Sequence, residues 1–123
     1  MAEPCASYHL DSIRKMSDET VTPLGFGDIE FQEFLKAGAI DVVRPSLRKH
    51  GIPGCRKVAA LAEVHYVAVA AQAATTHLET LAALHLAASI PNFFIQEIPP
   101  DSPLPVRDGY VDLPTQPGLG VEA

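Results

Sequence analysis

Apolar runs of four to six residues alternate with helical segments along this 123-residue chain. Leu10, Ile13 and Met16 recur at helical spacing, with Asp11 or Ser12 placed to start the turn. Val21–Gly25 reads as a short strand ending in Gly. Glu30–Ala37 sets Phe31, Phe34 and Leu35 on one helical face, and Gly38 stops it. Ile40–Val43 is a second strand, closed by Pro45. Gly51, Pro53 and Gly54 form a turn cluster, and Pro53 suits the first turn of a helix running from about Gly54 to Val64. Val67–Ala71 is a third strand, Thr76–Ser89 an Ala/Leu helix with Thr75 or Thr76 as its cap, and Phe93–Ile98 a fourth strand. A Pro, Asp and Gly-rich tail from Pro99 closes the chain, with an extended piece near Gly109–Leu113.

Strands separated by helices require right-handed crossovers and a parallel sheet. Continuous apolar strands, rather than alternating ones, fit a sheet covered on both faces. About four βα units make half of a (β/α)8 barrel, which takes roughly 250 residues in full. The expected fold is therefore α/β: a partial TIM-type barrel, with residues 1–123 as one domain and 99–123 as its closing tail. A small doubly wound sheet is the competing architecture, but no Gly-rich phosphate loop follows any strand.

Composition removes several function classes. The net charge of −6, with only short basic stretches at Arg44–Lys49 and Arg56–Lys57, argues against a nucleic-acid partner. No apolar run reaches the ~18 residues of a membrane span. Met1–Leu10 lacks the basic and apolar regions of a secretory signal, and two cysteines make no disulfide framework. A cytoplasmic protein with reduced thiols is expected.

The stretch from Leu81 to Glu97, with Ile90, Pro91, Asn92, Phe93 and Phe94 at its centre, resembles the last helix and strand of the mandelate racemase and galactonate dehydratase branch of the enolase superfamily. Asp108-Gly-Tyr, Leu113-Pro-Thr and Pro117-Gly-Leu-Gly-Val are similar to that branch's closing segment. Lys57–Glu63 resembles its sixth helix, Ala37–Pro45 its sixth strand, and Thr22–Asp28 its fifth. The resemblance implies the C-terminal half of the barrel and a lyase ancestry. In that branch a proton is abstracted next to a carboxylate, Mg²⁺ neutralises the enediolate, and a dehydratase then loses water.

Carried over position by position, the resemblance puts Ala2 where the fourth-strand metal ligand is expected. Glu3, its neighbour, should point to the other side of a strand. Asp28, after Gly27, falls at the fifth-strand metal ligand, and Ser46, after Pro45, at the sixth-strand Asp. Gln72 falls at the seventh-strand His and Glu97 at the eighth-strand Glu. An amide cannot serve as a titrating base, and a hydroxyl cannot orient an imidazole as a buried carboxylate does. Mg²⁺ is therefore expected to bind weakly or not at all, and a sugar acid is the implied ligand.

Other candidates carry less. His85 falls among helix core residues, and His77 could stand in for the base only from a loop. Cys5 with His9, and His50 with Cys55, match no zinc-ligand spacing. Ser46 lacks the Gly-x-Ser-x-Gly elbow. The expected function is that of a truncated, catalytically impaired relative of an acid-sugar dehydratase. The alternatives are a lyase completed by another chain and a non-catalytic scaffold. Two bare strand edges lead to the expectation of a homodimer or hetero-complex.

Overall fold

The computed structural model describes residues 1–5, 9–72 and 74–121. In chain order it contains α1 (Leu10–Glu19), β1 (Gly25–Phe26), α2 (Phe31–Lys36), β2 (Val42–Val43), α3 (Leu47–Val64), β3 (Ala68–Val69) and α4 (His77–Ser89). The strands form one parallel sheet in the order β1-β2-β3. Gly25 lies opposite Val42, and Val42 opposite Ala68. A parallel bridge from Ala2 to Gly25 extends the sheet beyond β1, and one from Val69 to Phe93 extends it beyond β3. The α/β alternation and the parallel pairing agree with the sequence.

The register sorts the side chains. Phe26, Val43 and Val69 are essentially inaccessible and join one apolar cluster with Ile13 of α1, Phe34 and Leu35 of α2, and Ala59 and Ala62 of α3. Side chains alternate along a strand, so Gly25, Val42 and Ala68 lie on the opposite face. A second cluster joins Cys55 of α3 and Ala71 to Ala83 and Leu86 of α4. Burial in it pushes the Cys55 thiol up to about 11, because the thiolate would lose its water. Asn92 ties the layers together: its Nδ2 donates to the carbonyl oxygens of Ala59 and Val67, each at 3.0 Å.

α4 starts with a full capping box. The Glu79 N–H donates to Thr76 Oγ1 at 3.2 Å, and the Thr76 N–H donates to the Glu79 carboxylate at 3.2 Å. The Thr75 hydroxyl and N–H, each at 2.8 Å, together with Arg48, hold the Glu79 carboxyl down at about 2 from its ordinary 4.5. A depressed carboxyl favours the fold above its unfolded value of 4.5, and that contribution disappears as pH falls through about 2.

Four expectations are corrected. The first strand begins at Gly25, not Val21, which is fully exposed. Hydrogen bonding toward β2 starts only where Asp41 and Val42 donate to the Leu24 carbonyl. Phe93–Ile98 is not a strand. Pairing with β3 ends after the Phe94 N–H meets the Val69 carbonyl, and no described segment pairs with its outer side. α3 begins earlier than Gly54, with one turn from Leu47, and is broken at Gly51, whose φ of 62° and ψ of 176° leave the helical region. Gly109–Leu113 is not extended throughout. Asp108 and Gly109 both have positive φ and turn the chain so that Arg107 and Tyr110 exchange hydrogen bonds of 2.9 and 2.8 Å.

Leu86 is 1% exposed between α4, α3 and the sheet. Leu86→Ala is expected to lower unfolding stability by about 3 kcal/mol, from lost burial plus the cavity left behind. Urea unfolding followed by circular dichroism checks this; a change below ~1 kcal/mol would mean that α4 does not pack on the sheet as described.

Candidate functional site

β2 carries the sheet's central side chain to the ends of the strands. Arg44 follows Val43 and, two residues beyond Val42, lies on the same face as Val42. Its stem lies over Gly25: a Cβ there would stand 3.1 Å from Arg44 Cδ. The guanidinium meets carboxylates from both margins of the sheet. Toward the C-terminal margin, Nε donates to Glu97 Oε1 at 2.7 Å and Nη2 lies 2.6 Å from the same oxygen. Toward the N-terminal margin, Nη1 donates to Glu3 Oε1 at 3.0 Å. The Arg44 side chain is only 14% exposed, against 25% for Glu97 and 38% for Glu3. Charge-assisted bonds of this length are the strong kind, and a planar guanidinium can serve two carboxylates at once.

Glu3 reaches this group because the chain bends. Its φ of 45° interrupts the strand alternation that would send its side chain away from the mouth. The carboxylate then also accepts the Gly27 N–H at 2.7 Å. This corrects the expectation that Glu3 faces the opposite side. Ala2 bridges to Gly25.

Gln72 lies beside Gly27. Its N–H donates to the Pro45 carbonyl at 3.2 Å, and its side-chain amide packs against Gly27. A Cβ on Gly27 would lie 2.1 Å from Gln72 Nε2 and 2.2 Å from the Arg44 carbonyl oxygen. Ser46 precedes α3, but its side chain makes no capping bond. Its carbonyl accepts from the His50 N–H at 3.0 Å and lies 3.5 Å from Cys55 Sγ. Asp28 pairs with Lys49 Nζ at 2.5 Å and is 73% exposed. It lines a cleft of about 840 Å³ with His9, Glu30 and Glu33, between the starts of α1 and α2. The structure thus gathers Glu97, Gln72 and Glu3 around Arg44 and Gly27.

These residues do not suit a divalent ion. A hard cation takes about six oxygens at close range. Among the described residues, no group of three or more His, Cys, Asp or Glu side chains could hold one. The two carboxylates that do converge, Glu3 and Glu97, both pair with the one Arg44 guanidinium.

An α/β sheet with its polar residues at the strand ends is the pattern of a barrel mouth, and the comparisons agree. Residues 1–123 match the family described as enolase C-terminal domain-like, and the chain belongs to that family. It is 26% identical to a D-xylonate dehydratase of Haloferax volcanii, over 98% of this chain and 33% of that protein. It is 32% identical to a D-galactonate dehydratase family member of Paenibacillus sp., over 89% of this chain and 31% of that one. Among solved structures, a mandelate racemase/muconate lactonizing enzyme from Sulfitobacter sp. superposes with a TM-score of 0.89 at 29% identity, covering 99% of this chain and 34% of the other. The chain spans about a third of the length of the relatives it matches. The superfamily kinship and the partial-barrel fold expected from the sequence are thereby established.

Sequence reading missed the role of Arg44. The available signal was a lone cation ending the apolar run Ile40–Val43, on the face of Val42. A cation there, pointing over a sheet, needs carboxylates, and Glu97 was already placed at a strand end.

Gly27 lets three chain segments meet at this point. Gly27→Ala is expected to cost about 2 kcal/mol or more, because the Arg44 carbonyl is backbone and cannot yield as a side chain can. Denaturant unfolding checks it; a neutral substitution would show that the strand ends are farther apart.

Proposed function

We propose that this chain is an acid-sugar-dehydratase type of half-barrel that does not itself carry out proton abstraction or loss of water. The observation behind this reading is the group at the mouth: Gln72 beside Gly27, with Arg44 between Glu3 and Glu97. Dehydration needs a group that takes a proton near neutral pH, and an amide has none to offer. Ser46, at the position that resemblance gives to a carboxylate, has its side chain outside any capping bond and supplies no charge to orient a base. The xylonate, galactonate and mannonate dehydratases among the relatives supply the substrate class: a polyhydroxy carboxylate. A Mg²⁺-dependent reaction in this chain would need more oxygen ligands than the two carboxylates that converge on Arg44 among the described residues.

A second reading is favoured by one observation. Phe93, Phe94 and Ile95 are each about half exposed, beside a cavity of about 830 Å³ that also takes in Leu84, Val106 and Tyr110. These residues lie along the sheet margin beyond β3. Such a margin favours pairing with another chain, and closure of the sheet would cover it. A second copy, or a partner supplying the remaining strands, would then complete the barrel.

Two outcomes follow. In a screen of aldonic and aldaric acids with Mg²⁺, the purified chain is expected to show turnover below about 0.1 s⁻¹, well under the ~1–1,000 s⁻¹ of ordinary enzymes. Faster Mg²⁺-dependent loss of water would overturn the non-catalytic reading. Light scattering is expected to give a mass near twice the 13.2 kDa of the chain. A stable monomer that unfolds cooperatively would contradict the pairing of its margins.

A further inference from the structure

We infer that the margin beyond β3 is a self-association face: its apolar residues meet the same residues of a second copy across a two-fold axis. The inference rests on the second-copy reading above and deepens it by choosing the face that meets the copy. First, the exposed apolar side chains are concentrated there. Phe93, Phe94 and Ile95 after β3, with Val106, Tyr110 and Leu113 of the closing tail, are each about half exposed or more and line one cleft of about 830 Å³. A contiguous apolar patch of this kind marks an association surface. Among the described residues before α1, Met1 is the one large apolar side chain that is exposed, and Glu3 stands beside it. That margin is a poor match for an apolar one, so like meets like. An isologous contact uses one patch twice, and two-fold dimers are the commonest homo-oligomers.

Second, the backbone of this margin is half used. The Val69 N–H donates to the Asn92 carbonyl and the Phe94 N–H to the Val69 carbonyl, both at 2.9 Å. In a parallel ladder that turns the N–H and C=O of Phe93 itself away from β3, and no described backbone group bonds to them. A second copy of this segment, related by a two-fold axis, runs antiparallel to the first and offers both partners. Third, the area fits. The chain exposes 7723 Å², whereas a folded monomer of 13.2 kDa exposes about 6,400 Å². The excess of about 1,300 Å² is more than the roughly 800 Å² that each partner gives to a standard interface.

Light scattering over a dilution series of the intact chain and three variants tests it. The native chain is expected near twice 13.2 kDa. Phe94→Asp is expected to raise the dimer dissociation constant about tenfold or more, with an unchanged circular dichroism spectrum. Tyr110→Asp is expected to do the same. Tyr110 is 79% exposed, so that variant covers the case of a Phe94→Asp chain that does not fold. Ala2→Glu, on the opposite margin, is expected to leave the dimer intact. A dimer that Ala2→Glu weakens as much as Phe94→Asp does pairs unlike margins head to tail; that result overturns the inference and leaves the second-copy reading standing. A dimer indifferent to both aspartate variants also overturns it. A native chain that stays monomeric overturns the inference and the second-copy reading together.

Discussion

The register of the parallel sheet governs everything else in this molecule. Gly25, Val42 and Ala68 stand in one row, and Phe26, Val43 and Val69 in the next. Side chains alternate, so that pairing commits the second row to the helices and the first to the opposite face. A slip of one residue would turn Phe26 and Val43 out of the core and take Arg44 off the face it shares with Val42. The register therefore fixes the apolar packing of α1, α2 and α3 and the position of Arg44 together.

From that position the electrostatics follow. Arg44 cannot be left alone on a partly covered face, because a charge withdrawn from water needs partners. Glu3 and Glu97 supply them from the two margins. The same contacts hold the residues before β1 and after β3 near the mouth, where backbone pairing is limited to single bridges at Ala2 and Phe93. Side-chain charge thus holds the margins where the ladder is too short to do so.

Much of this was legible in the sequence. Helix and strand alternation gave the α/β class, and the continuous apolar runs gave the parallel sheet. Residue resemblance pointed to Glu97 and Gln72; in the structure Glu97 pairs with Arg44 and the Gln72 amide packs against Gly27. What sequence reading lost has physical reasons. Phe93–Ile98 has the composition of a strand, but a strand also needs neighbours, and pairing with β3 stops after Phe94. Val21 belongs to an apolar run yet is exposed, because pairing with β2 begins only at Leu24. Strand alternation gave the wrong direction for Glu3, because a positive φ breaks that alternation at one residue and no pattern of hydrophobicity records it. Asp28, after Gly27, pairs with Lys49 in the first turn of α3.

The account depends on a guanidinium lying between two carboxylates, Glu3 and Glu97, at the strand ends. A crystal structure of the chain grown with Mn²⁺, which takes the same oxygen ligands as Mg²⁺ and is visible by anomalous scattering, tests that directly. The account predicts Arg44 bonded to both Glu3 and Glu97, with no anomalous peak within coordination distance of either carboxylate. An Mn²⁺ peak bound by Glu97, with Arg44 swung away, would contradict it.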